Sequence, residues 1–77
     1  MPHIIIKLIE GRTDAQKRAV AEAVAEAVQR TLGAYESAIS VGIEEVPHQD
    51  WAEKVYRPDI LGKQDTIYQR PGYEPFS

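Results

Sequence analysis

Seventy-seven residues, a net charge of −3 with both signs interspersed, and no cysteine exclude several classes at once. A chain this short buries only about 60% of the surface its unfolded form exposes, and no disulfide or thiolate–metal site can staple it, so self-association is the expected support. The acidic balance speaks against a nucleic-acid partner, no apolar run approaches the ~20 residues that cross a membrane, and no secretion signal is visible, which together with the missing cysteine fits a reducing, cytoplasmic setting.

The chain opens Met1-Pro2-His3. Removal of Met1 leaves Pro2 with a free secondary amine, able to act as a base or as a nucleophile toward carbonyls. With Met1 retained, the same nitrogen is an amide and does neither. His3 to Ile9 are mostly β-branched or aliphatic, and read as a strand covered on both faces, as in a parallel sheet. Glu10-Gly11-Arg12 breaks the pattern. Thr13-Asp14-Ala15-Gln16 is a capping box, and Asp14 suits the positive end of a helix dipole.

The spacing predicts a helix from about Asp14 to Leu32. Val20, Ala23, Val24, Ala27 and Val28 form its apolar stripe, and Gly33 suits a left-handed cap. Ala38 to Val46 reads as a second strand, with Ile39, Val41 and Ile43 alternating against Ser40, Gly42 and Glu44. Pro47 ends it. The fold class is α+β: a single βαβ domain with its core at about 2–46, a right-handed crossover, and a C-terminal tail over 47–77. In the tail, His48 to Tyr56 reads as a short helix around Trp51. Arg57-Pro58-Asp59 interrupts it, with Pro58 starting a new turn. A second short helix is expected within Asp59 to Arg70, then a turn at Pro71-Gly72-Tyr73 and loose final residues. Two strands and one helix leave a sheet face and both edges uncovered. Pairing two copies into a four-stranded sheet answers both problems.

Few residues carry chemistry, and each has a bland reading beside the functional one. Pro2 is either a stiff strand opener or a base whose pKa is lowered by apolar walls and a nearby cation. Arg12 is either a solvated loop arginine or a carboxylate clamp, able also to stabilise an enolate oxygen. Trp51 either anchors the tail or walls a pocket. Ser40 and His3 are possible polar contacts for a ligand. His48 reads as a surface turn residue, and Glu44-Glu45 as a solvated strand end. Two distant histidines without cysteine make a poor metal site, and no phosphate loop or Ser-His-Asp set is present.

Pro2, the Ile-rich strand and Leu8-Ile9-Glu10-Gly11-Arg12-Thr13-Asp14-Ala15-Gln16-Lys17 together resemble the opening of the 4-oxalocrotonate tautomerase family. The helix, Gly33-Ala34 and the Ser37–Val46 strand continue the likeness, over roughly the first 50 residues. The tail resembles that of the longer, PptA-type members. The resemblance implies a βαβ subunit whose sheet is completed by dimerisation, and cofactor-free keto–enol tautomerisation of a small unsaturated 2-oxo or 2-hydroxy acid. It implies Pro2 as the proton shuttle, Arg12 as the carboxylate binder and Trp51 at the family's aromatic position. A second arginine of the family falls on Ser40, so a monocarboxylate is expected over a diacid. The longer tail favours a dimer over the hexamer of standard members. Other activities on the scaffold (decarboxylase, hydratase, dehalogenase) and a non-catalytic oligomeric binding module are the alternatives.

Overall fold

The computed structural model describes residues 1–76. They fall into two compact units, Met1–Glu45 and Val46 onward, each taken by itself below.

The first unit is a strand, a helix and a second strand. Strand β1 is His3–Ile9, helix α1 is Asp14–Leu32 and strand β2 is Ser40–Val46. The helix ends where local chemistry says it should. Thr13 Oγ1 accepts from the Gln16 N–H at 3.1 Å, and Gln16 Oε1 accepts from the Thr13 N–H at 3.0 Å, a complete capping box. Gly33 closes the other end at φ 69°, its N–H donating to the Gln29 carbonyl. Only a residue without Cβ takes that conformation freely.

The strands run parallel. At their starts, the Ser40 N–H donates to the Pro2 carbonyl at 3.2 Å. At their ends, Glu45 meets Lys17, which lies one turn into the helix that follows β1. Side-chain alternation then sorts the two faces. Leu8 shares a cavity with α1 residues and Glu45 reaches α1, so Ile4, Ile6, Leu8, Val41 and Ile43 face the helix. His3, Ile5, Ser40, Gly42 and Glu44 lie on the side away from it.

Three expectations need correction here. β1 is not covered on both faces: Ile4 and Ile6 are half-buried, but Ile5 is 51% exposed. A single helix covers one face of a sheet. β2 starts two residues later than the alternation suggested, because Glu36–Ala38 close a 3₁₀ turn first, with Ala38 N–H on the Tyr35 carbonyl and Ile39 N–H on the Glu36 carbonyl. The helix stripe is rotated as well. Ala21, Val24, Ala25, Ala27 and Val28 are half-buried, whereas Val20 and Ala23 remain exposed. The uncovered half of the stripe marks apolar surface that one chain does not bury.

In the second unit a 3₁₀ turn at His48–Asp50 leads into a wide helix, Ala52–Ile60, followed by a 3₁₀ segment Leu61–Thr66. Val55 and Tyr56 are the buried apolar residues among those described. Pro58 was expected to break the helix at 57–59 but lies inside it. Proline has no N–H to donate and crowds the preceding turn. The wide, π-type winding relieves that crowding, and the Leu61 N–H is shared between the Arg57 and Tyr56 carbonyls. Gly62 follows for a steric reason, since a Cβ there would stand 3.2 Å from the Arg57 carbonyl oxygen.

The last residues were expected to be loose; Ser77 lies outside the described residues, and Tyr73 and Phe76 fold back on this helix. Tyr73 and Phe76 pack on the Tyr56 ring, with centroids at 5.4 and 5.8 Å. The Arg57 guanidinium lies 4.3 Å from the Phe76 ring centroid. Glu53 grips that guanidinium through two bonds, at 2.9 and 3.1 Å. This ion pair holds the Glu53 carboxyl below its ordinary pKa and raises that of Arg57.

Candidate active site

Pro2 opens the sheet. It is half-buried, and its carbonyl is tied to Ser40. With Met1 attached its nitrogen is a peptide nitrogen, and the Met1 amine donates to the Ala38 carbonyl. His3 and Ser40 meet beside it. His3 Nδ1 and Ser40 Oγ are 2.6 Å apart, one of them donating according to the histidine tautomer. The ring edge passes close to Gly42, where a Cβ would lie 3.9 Å from His3 Cε1. Pro2, His3 and Ser40 thus come together at one end of the sheet, where Ser40 begins β2.

Arg12 is at the other end. It is exposed, in the loop after β1, and borders a cavity of about 190 Å³ lined also by Leu8, Gln16, Lys17 and Val20. Among the described residues no hydrogen-bond or ion-pair partner engages its guanidinium. The seven residues of β1 rise about 3.3 Å each, roughly 23 Å in all. A single chain therefore does not bring Arg12 to Pro2, although the sequence reading relied on a guanidinium close to the amine. Trp51 belongs to the second unit. It is half-buried, and its indole N–H donates to the Tyr73 hydroxyl at 2.8 Å.

A cluster that the sequence reading passed over surrounds the Arg12 loop. Lys17 Nζ lies 2.8 Å from Glu45 and 3.4 Å from Asp14. Hydrogen bonding to Glu45 raises the pKa of Lys17, and Lys17 in turn holds the Glu45 carboxyl below its ordinary value. The sequence makes Glu45 a solvated strand end, whereas in the structure it closes an ion pair with Lys17. In a parallel βαβ unit the loop after the first strand and the end of the second share one sheet end. A basic residue one turn into the helix and an acid closing β2 were therefore the available signal.

The comparisons agree with this architecture. The family model described as "Tautomerase enzyme" matches residues 2–56. A probable tautomerase of Xylella fastidiosa is 45% identical over 73 residues, covering 95% of this chain and 89% of the relative. Tautomerase PptA of Cronobacter sakazakii is 35% identical over 75 residues, covering 96% and 99%. Among solved structures, YwhB, a homologue of 4-oxalocrotonate tautomerase, superposes with a TM-score of 0.59 at 52% identity, over 60% of this chain and 75% of that one. With a βαβ unit at its core, a family match over most of its length and relatives spanning nearly all of it, this chain belongs to the tautomerase family of 4-oxalocrotonate tautomerase and PptA, and is an isomerase.

Proposed function

We propose that the protein catalyses keto–enol tautomerisation of a small unsaturated 2-oxo or 2-hydroxy acid carrying one carboxylate, with the amine of Pro2 as proton shuttle once Met1 is removed. Neutral Pro2 takes the proton from the enol hydroxyl. The oxygen lone pair forms the carbonyl, the carbon–carbon π electrons move to the distal carbon, and protonated Pro2 returns the proton there. No net charge is gained and no redox partner is needed.

The observation that carries this reading is the Arg12 guanidinium, without a partner among the described residues, beside a small cavity in a chain of this family. Two parallel N–H bonds suit a carboxylate, and the cation favours the dienolate as its charge develops. Because β1 separates Pro2 from Arg12, the working site in this reading joins Pro2 of one copy to Arg12 of another. Self-association, with a dimer favoured, also covers Ile5, Val20 and Ala23. Trp51 supplies an apolar wall. Ser40 and His3 orient the ligand, and a serine where the family's standard members carry a second arginine favours a monoacid such as an aryl enolpyruvate. The reading includes a cytoplasmic setting.

Intact-mass measurement on untagged protein, paired with turnover of phenylenolpyruvate, tests it. Loss of Met1 and a Pro2→Ala variant that stays folded but loses most of its turnover are expected. Full turnover by Pro2→Ala, or by protein that retains Met1, rules out the shuttle.

A further inference from the structure

The indole of Trp51 has one polar atom, its ring nitrogen, and that N–H can only donate. Its acceptor is the Tyr73 hydroxyl at 2.8 Å, 22 positions further along the chain. Tyr73 is itself held at two further points. Its ring packs on that of Tyr56, with centroids at 5.4 Å and planes tilted by 54°. Its carbonyl accepts from the Tyr56 hydroxyl at 3.2 Å. Tyr56 is only 6% exposed, so it is a fixed base for both contacts. Phe76 meets the same ring edge-on at 5.8 Å, against the Arg57 guanidinium that Glu53 grips. Helix side chains thus seat the C-terminal segment, and that segment supplies the acceptor for Trp51. Apolar burial is non-directional, whereas a hydrogen bond weakens steeply off its line. The bond to Tyr73 therefore selects one orientation of the half-buried indole.

We propose that Tyr73 is a positioning residue for Trp51: its hydroxyl fixes the plane of the indole, and affinity for a substrate bearing an aryl group depends on that plane. This rests on the pocket-wall role proposed for Trp51. Aromatic pairs prefer offset-stacked or edge-on arrangements, so an aryl ring registers a turn of the indole that a small alkenyl group barely feels. The C-terminal segment then acts on specificity without touching the substrate. Supporting hydrogen bonds of this kind decide whether a binding group is held within the tolerance its ligand needs.

The test is steady-state kinetics on full-length protein whose mass confirms loss of Met1. Two substrates are compared: phenylenolpyruvate, and 2-hydroxypenta-2,4-dienoate, which carries a vinyl group in place of the ring. Tyr73→Phe keeps the ring that packs on Tyr56 and removes only the acceptor. It should raise KM for phenylenolpyruvate about threefold, the effect of losing one neutral hydrogen bond, with kcat little changed. KM for the vinyl compound should stay within error of wild type. Trp51→Phe has no N–H to place, so adding Tyr73→Phe to it should change KM no further, a non-additivity that marks direct coupling. Tyr68→Phe, at an exposed position, should leave both KM values where they are. An equal rise for the two substrates, a matching fall in kcat, or an undiminished effect of Tyr73→Phe in the Trp51→Phe background overturns the proposal. Trp51→Ala separates the two levels. If it raises KM for phenylenolpyruvate while Tyr73→Phe does not, the positioning role alone is wrong. If it leaves that KM unchanged, the pocket-wall reading fails and the role of Tyr73 falls with it.

Discussion

Mixing Pro2→Ala subunits with Arg12→Ala subunits is expected to restore activity that neither variant has alone. The two ends of β1 are separated by seven strand residues, roughly 23 Å at a strand's rise, well beyond the reach of an arginine side chain. A site that uses both residues on one small molecule must draw them from different copies. If the variants are mixed in equal amounts and allowed to re-associate at random, the subunit supplying position 2 is intact at that position in about half of all sites. The subunit supplying position 12 is intact in about half as well. The product is about one quarter of wild-type activity, and this fraction is the same for any symmetric oligomer whose sites each join two subunits. The assay is phenylenolpyruvate turnover at low substrate, before and after unfolding and refolding the mixture together. Activity that never exceeds the mean of the two parents would refute the inter-subunit site and return the burden to a single chain.

Further expectations follow from contacts elsewhere. Thr13→Ala removes the Oγ1 acceptor that caps the Gln16 N–H, leaving only the bond from the backbone N–H of residue 13, and should cost about 1 kcal/mol, lowering the melting midpoint by about 4–8 °C for a domain of this size; an unchanged midpoint in calorimetry contradicts it. Trp51 is the only tryptophan and donates to the Tyr73 hydroxyl, so Tyr73→Phe should shift its emission and ease acrylamide quenching, whereas Tyr68→Phe, at a 99% exposed position, should do neither. The Lys17–Glu45 pair gives a pH signature with a definite sign. Glu45 has a folded pKa below its ordinary 4.5, so its stabilisation is complete above that value and is lost as pH falls through the folded pKa. Lys17 is raised above 10.5, so its share is complete below that value and is lost as pH rises through the folded pKa. The difference in melting temperature between wild type and Glu45→Gln should therefore be constant between these limits and shrink on the acid side. A difference that persists in strong acid would mean the glutamine acts through packing.

What the sequence made legible was mostly what neighbours in the chain decide for themselves. Helix α1 runs from Asp14 to Leu32 because a capping box opens it and a glycine closes it, and both signals lie within four residues of the ends they set. The start of β2 was misplaced where two local preferences compete: residues 36–38 bond back on themselves before the extended run can begin. Pro58 misled for a related reason. The rule that proline ends a helix assumes four-residue bonding, and the wider winding of Ala52–Ile60 relaxes it. At the candidate site the residue types were readable but their grouping was not. His3 and Ser40 are 37 positions apart yet in contact, and Lys17 and Glu45 meet across 28 positions only because the strands are parallel. The separation of Pro2 from Arg12 follows from the same topology, and no spacing rule along the chain displays it.

The hydrogen bond from the Met1 amine to the Ala38 carbonyl bears on how this enzyme matures. An aminopeptidase must grasp a free terminal amine on an extended segment, and here that amine is engaged by the folded chain at a sheet start. Excision has its opportunity while the polypeptide is being synthesised, ahead of strand pairing. On the mechanism proposed above, molecules that keep Met1 carry a blocked imino nitrogen. Rapid overproduction should then yield a mixture of two masses whose ratio stays constant on storage, with the lighter species carrying the turnover.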